Sequence, residues 1–199
     1  MPRPKNPYAK PDHFTRAARD AGFPARSVFK LEEIDRRVRL FRPGMRVLDL
    51  GASPGSWSLY AIDRIGPTGK LLAVDLELLT VPLPANASFR SCDVFAPDDA
   101  LFDTFAPYDV VLSDMAPNTT GNRITDQARS LDLFMRAVAV AARLGAPGGA
   151  FVGKIFMSGD LPLARAELRR HYAAERLIRP EGTRPISTEI FAVGSGKRG

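Results

Sequence analysis

The sequence predicts an α/β protein built on a doubly wound, mostly parallel sheet with helices on both faces. Three observations carry that prediction. Short apolar runs of strand length alternate with amphipathic runs of helix length from Met45 onward. The strand-like runs close on glycine or an acid, as at Gly51 and Asp75, where such a sheet presents its ligand loops. The 199 residues are 45% hydrophobic, enough for one sizeable core, so one domain (27–199) behind a basic N-terminal arm (1–26) is expected.

Residues 1–12 hold four prolines and read as a tail. A helix follows over Phe14–Ala21, stopped by Gly22, and Ser27 is a plausible N-cap for a second, in which Val28, Leu31, Ile34 and Val38 recur at helical spacing. Arg42-Pro43-Gly44 then turns the chain into the alternating region. Val47–Leu50 is a strand, Trp57–Ile65 a helix, Leu71–Val74 a strand and Ser88–Ser91 another. Ala96–Pro107 is irregular, Val110–Leu112 a strand and Asp126–Leu144 a long helix. Phe151–Phe156 is a strand reached through Pro147-Gly148-Gly149, Leu161–Tyr172 a helix, and Glu189–Val193 the last strand.

Composition excludes several classes. Cys92 is the single cysteine and there are two histidines, so neither an internal disulfide nor a common zinc site is expected, and no metal is. No apolar run reaches the roughly 18 residues of a membrane span, and the N-terminus lacks the apolar core of a signal peptide. A cytoplasmic protein without membrane contact is the expectation. The net charge of +6 is unevenly placed: residues 1–46 hold twelve Lys or Arg against five acids, while the remainder is nearly neutral. Such a segment suits a polyanion such as nucleic acid; a solvated terminus fits the charge alone equally well.

The sharpest local signal is Asp49-Leu50-Gly51-Ala52-Ser53-Pro54-Gly55-Ser56-Trp57, directly after the first strand. Gly51 and Gly55 allow the backbone to pass close to a ligand at a strand-to-helix turn. Asp75, ending the next strand, can accept hydrogen bonds from both ribose hydroxyls of a nucleoside, and Asp93, after the third, can take an adenine amino group. The G-x-x-x-G spacing with Pro54 inside departs from the dinucleotide pattern, and no lysine follows as in a phosphate loop. A nucleoside without phosphates, such as S-adenosylmethionine, therefore suits the turn better than NAD. Trp57 packs its helix or touches the cofactor. Only six of the 28 basic residues are lysines, and two of them, Lys30 and Lys154, sit among apolar neighbours where a charge is costly. Asp114 closes the fourth strand and Glu189 opens the last. Arg123 and Arg129 flank the start of the long helix.

The segments SVFKL, DLGASPGSW, SDMAPNTTG, GAFVGKIF and STEIFAVGSGKR, in this order, resemble the FtsJ/RrmJ family of ribose 2′-O-methyltransferases, nearest to its bacterial members that act on large-subunit ribosomal RNA. The resemblance spans Arg26 to Arg198. It implies a seven-stranded sheet of the Rossmann-like, S-adenosylmethionine-dependent type and a Lys-Asp-Lys-Glu tetrad on Lys30, Asp114, Lys154 and Glu189. The cofactor positions it implies are Gly55, Trp57, Asp75, Asp93 and Asp114, beside the turn glycine Gly51. Ser53 and Ser56 stand where the family more often has Ala and Gly, and Val28 replaces a larger side chain.

The activity implied is 2′-O-methylation of a uridine in large-subunit ribosomal RNA by a monomer, with rRNA in the large ribosomal subunit as the partner. Alternatives are a related enzyme acting on tRNA or another RNA, and a catalytically idle RNA-binding module of the same fold. Lys154 would serve as a general base, helped by burial and the neighbouring cation Lys30, or as a charge that stabilises the developing alkoxide. The basic arm, with Arg123 and Arg129, would hold RNA phosphates.

Overall fold

The computed structural model describes residues 12–95 and 99–199. Seven strands make one sheet: β1 (Arg46–Leu50), β2 (Lys70–Asp75), β3 (Ala87–Ser91), β4 (Tyr108–Ser113), β5 (Gly145–Phe156), β6 (Tyr172–Ile178) and β7 (Glu189–Lys197). Their order is β3-β2-β1-β4-β5-β7-β6. The first five run parallel, and β7 inserts antiparallel between β5 and β6. The order reverses between β1 and β4, so the crevice beyond their carboxyl ends is where this architecture receives a ligand.

Side chains of each strand alternate between two cores. Leu48, Leu50, Val111, Phe151 and Ile155 pack under α4 (Arg123–Leu144) and α5 (Leu161–His171). Val47, Leu71, Val110, Val152 and Phe191 pack under α1 (His13–Asp20), α2 (Val28–Val38) and α3 (Ser56–Ile65). Both faces are thus dry, which explains the continuous apolar runs in the central strands.

Three expectations need correction. Residues 1–11 of the basic arm lie outside the described residues, but residues 12–26 are no detached arm. Asp12 caps α1 by accepting from the Thr15 amide at 2.9 Å, Ala18 is buried in the core, and Arg26 pairs with Asp12. Ser27 precedes α2 but makes no side-chain cap hydrogen bond; its backbone is already helical. The edge strand β6 goes unread in the residue pattern because YAAERLI is rich in helix formers; antiparallel pairing with β7 and burial of Tyr172 decide its conformation. Elsewhere boundaries move outward. α4 begins at Arg123, where Asn122 accepts hydrogen bonds from the amides of Ile124 and Thr125. β5 begins at Gly145 with a register irregularity opposite Tyr108 and Val110, and β7 continues to Lys197.

Candidate active site

A cleft of about 720 Å³ opens beyond the carboxyl ends of β1, β2 and β4, a volume suited to a small-molecule ligand. Gly51 forms its floor with φ +78°, and a Cβ there would lie 2.6 Å from the Met115 side chain and 2.9 Å from the Met115 amide nitrogen. Only glycine lets the β1 turn and the segment after β4 approach this closely. Asp75, at the end of β2, accepts from the Ser53 amide through Oδ2 (2.8 Å) and from the Glu77 amide through Oδ1 (2.9 Å). Each oxygen keeps a further lone pair for a ligand. Asp93 reaches the rim, where its carboxylate accepts from the Phe95 amide. Leu76, Leu78 and Phe95 form exposed apolar walls that the sequence pattern does not reveal, since they are isolated residues just past strand ends. Among the described residues that line the cleft, Asp75, Glu77, Asp93 and Asp114 are acidic and none is lysine or arginine. This environment opposes a pyrophosphate and favours a ligand bearing positive charge.

Gly55 and Trp57 do not line the cleft. Gly55 adopts φ +115°, and a Cβ there would meet Val81 at 2.4 Å, so its absent side chain admits the strand-following loop over the start of α3. The Trp57 side chain points into the core: its indole N–H donates to the Ser27 carbonyl at 2.9 Å and its ring lies 5.6 Å from that of Phe191. Contact between Trp57 and a ligand is therefore left to its main chain, in the first turn of α3. The Ser56 hydroxyl, also buried, bridges the amide and carbonyl of Ala25 and ties α3 to the segment before α2. Val28 is buried in the core, with no surface for RNA.

Lys30, Asp114, Lys154 and Glu189 form two ion pairs. Lys154, on β5, is 8% exposed; its Nζ lies 3.0 Å from Asp114 Oδ1 and donates to the Asp114 carbonyl. Lys30, on α2, pairs with Glu189. The register explains the grouping. Lys154 faces Phe191 and Phe156 faces Glu189 across β5 and β7, so Lys154, Glu189 and Phe191 share the sheet face beneath α2. Lys30 Nζ sits 6.0 Å from the Phe191 ring centroid. Asp114 follows β4, and its amide donates to the Leu50 carbonyl, which brings the Lys154–Asp114 pair to the wall of the cleft. Arg123 and Arg129 are exposed at the start of α4.

Asp49 lies beneath this floor, fully buried on β1. Ser58 Oγ donates to its Oδ2 at 2.6 Å, and its Oδ1 has no hydrogen-bond partner among the described residues. Burial pushes its carboxyl up to about 7 against the pull of Ser58, and the neighbouring Asp114 and Asp75 charges add to the rise.

Comparison with known proteins identifies the family and the fold. A family model described as FtsJ-like methyltransferase matches residues 23–197. The ribosomal RNA large subunit methyltransferase E of Sorangium cellulosum is 64% identical over 192 residues, 96% of this chain and 91% of the relative. The protein of the same name from Bdellovibrio bacteriovorus is 48% identical over 96% of this chain and 99% of its own. Among solved structures, a Plasmodium falciparum protein described as a ribosomal RNA methyltransferase superposes with a TM-score of 0.77 at 23% identity, over 89% of this chain and all of that one. Fibrillarin of Aeropyrum pernix, solved with S-adenosyl-L-methionine, superposes with a TM-score of 0.57 at 15% identity, over 77% of this chain and 67% of that one. These two structures share the fold.

Proposed function

The chain belongs to the FtsJ-like methyltransferase family, and on that premise we propose that it methylates the 2′-oxygen of a uridine ribose in large-subunit ribosomal RNA. The observation that carries this reading is the pair of ion pairs, Lys154–Asp114 and Lys30–Glu189, beside an acidic cleft whose described lining holds no lysine or arginine. The names of the curated relatives supply the substrate class.

When bound, S-adenosylmethionine supplies a methyl group made electrophilic by a sulfonium charge. Asp75 would accept the ribose hydroxyls of the cofactor, Asp93 its adenine amino group, and Leu76, Leu78 and Phe95 would cover the base. Gly51 keeps the floor open for close main-chain approach. Asp114 serves both sites, since it walls the cleft and orients Lys154.

The attacking ribose oxygen must be positioned and must shed its proton as its lone pair forms the new bond. Lys154 is the group placed to meet it. A neutral amine there takes the hydroxyl proton; an ammonium stabilises the charge developing on oxygen. Glu189 holds Lys30 over the same sheet face, where the two lysines would flank the place of the nucleophile. Such a protein works where ribosomes are, in the cytoplasm. Mapping ribose methylation in rRNA from cells lacking the protein tests the assignment: one large-subunit uridine should lose its methyl group. An unchanged rRNA map with a missing methyl in tRNA would move the substrate elsewhere.

A further inference from the structure

The densest positive charge in the chain lies far from this cleft. Residues 36–46 hold five arginines (Arg36, Arg37, Arg39, Arg42 and Arg46) and no acid. They run from the last turn of α2 to the first residue of β1, at the amino ends of the parallel strands. The cleft lies at the opposite, carboxyl ends.

Helix-dipole compensation accounts for Arg36 and Arg37 in the last turn of α2, and Arg37 also pairs with Glu33. It does not account for Arg39, Arg42 or Arg46, and it leaves the exposed Arg36 guanidinium able to meet a further anion. Arg36, Arg39 and Arg42 are exposed and form no ion pair among the described residues. Arg39 stands in the left-handed region (φ 55°, ψ 58°) after the helix, where glycine is the low-cost residue. Asp35 holds it there by accepting the amides of Leu40 (2.8 Å) and Phe41 (3.2 Å). A guanidinium is thus fixed outward on rigid backbone at the cost of strain, a pattern associated with function.

Beside the arginines lies a second cleft of about 320 Å³, with Arg39 and Arg42 on one side and Pro147, Gly148 and Gly149 on the other. Asp109 also lines it, but its Oδ2 accepts the Arg46 amide at 2.7 Å and so anchors the start of β1. Lys70 pairs with Arg46 across β1 and β2 and extends the positive edge.

We propose that Arg36, Arg39 and Arg42 form a second docking surface, for the phosphate backbone of structured RNA, at the pole opposite the methyl-transfer cleft. The proposal rests on the reading that the substrate is RNA. Unpaired arginines on ordered backbone suit phosphate oxygens, and they fix the register of a helix without reading its sequence. An RNA touching both poles must pass around the molecule, so a folded rRNA domain engages this surface and a short single strand does not.

The test compares the full chain with a triple variant, Arg36→Gln, Arg39→Gly and Arg42→Gln; glycine suits the backbone at 39 and glutamine the helix at 36. Affinity is measured against salt for a short single-stranded oligonucleotide and for a protein-free domain of large-subunit rRNA. For the domain, the slope of log affinity against log salt should fall by about 2–3, and affinity on the order of tenfold, if three phosphate contacts are lost. Oligonucleotide binding and cofactor affinity should stay unchanged. Coincident slopes on the folded domain would overturn the proposal. So would a loss seen only on the assembled subunit, which points to an acidic protein, or patch-dependent binding to phosphatidylserine vesicles. Wild-type protein that methylates no RNA, yet shows the patch-dependent slope, would contradict the proposed function and leave this surface standing.

Discussion

At the scale of single residues, the site couples three carboxylates that differ in what surrounds them. Asp75 has two backbone amides at the cleft wall, Asp114 has a lysine, and the fully buried Asp49 has one hydroxyl. Asp75→Ala should weaken cofactor binding by about 1–3 kcal/mol, since ribose hydroxyls lose their acceptor; calorimetry giving wild-type affinity in a folded variant would remove Asp75 from the site. Asp49 gives a pH signature. Its carboxyl titrates near 7 in the fold and near 3.8 when exposed, so the folded state binds the extra proton between those values. The stability it contributes is therefore greatest below pH 4 and declines as pH rises through about 7. Asp49→Asn should flatten that decline and gain stability relative to wild type at pH 8, on the order of 2–4 kcal/mol. Parallel denaturation curves for the two proteins between pH 5 and 8 would contradict the buried neutral acid. Lys154→Arg separates the two roles of the lysine. Arginine keeps the charge but cannot accept a proton near neutrality, so a folded, cofactor-binding Arg variant without turnover assigns proton transfer to Lys154. Appreciable turnover would leave it a fixed charge.

At the scale of elements, the segment from Asp12 to Lys30 joins the core to the loop that delivers Glu189. Arg26 pairs with Asp12 and donates to the Gly182 carbonyl, Arg184 Nε reaches Asp12 at 3.4 Å, and Glu33 accepts the Glu181 amide at 2.8 Å. These contacts fix the chain on both sides of the Lys30–Glu189 pair. Removal of residues 1–11 takes away Arg3, Lys5 and Lys10 but leaves α1. That deletion should preserve the melting temperature and cofactor affinity while making RNA affinity less salt-dependent. Removal of residues 1–22 also strips Asp12 and the buried Ala18, and should lower the melting temperature and the methylation rate together. A shorter deletion that already costs stability, or a longer one that costs none, would contradict this division. The sequence pattern shows α2 through the helical spacing of its buried residues, α1 through its stop at Gly22, and the central strands through their short unbroken apolar runs. It hides these contacts, because Asp12, Arg26, Gly182 and Arg184 meet, and Glu33 meets Glu181, only once β7 returns beside β5. It hides β6 for a related reason, since partner strand and not local preference sets that backbone. The tetrad residues could be singled out one by one as costly charges in apolar surroundings or at strand ends; their pairing depends on the β5–β7 register, which no local pattern encodes.

At the scale of the whole molecule, the doubly wound sheet separates two kinds of surface. Its carboxyl end gathers acids and two lysine–carboxylate pairs; its amino end carries exposed arginines without an ion pair among the described residues. The net charge of +6 thus does not describe the candidate cofactor cleft, whose charged lining residues are acids, and the excess positive charge lies elsewhere. Charge counting along the chain locates the excess in the first 46 residues, but only the fold shows that much of it stands at the far pole. The proposed methyl transfer depends on the paired lysine at the carboxyl end acting on a ribose oxygen. The direct measurement is single-turnover methyl transfer from labelled S-adenosylmethionine to large-subunit rRNA by wild type and Lys154→Ala. The product is read as linkages resistant to alkali, because alkaline cleavage needs a free 2′-hydroxyl. Wild type should yield one resistant uridine linkage, and the variant should bind cofactor equally yet transfer at least about 10²-fold more slowly. A variant rate within a few-fold of wild type, or label found on a base and released as alkali-sensitive nucleotide, would contradict the account.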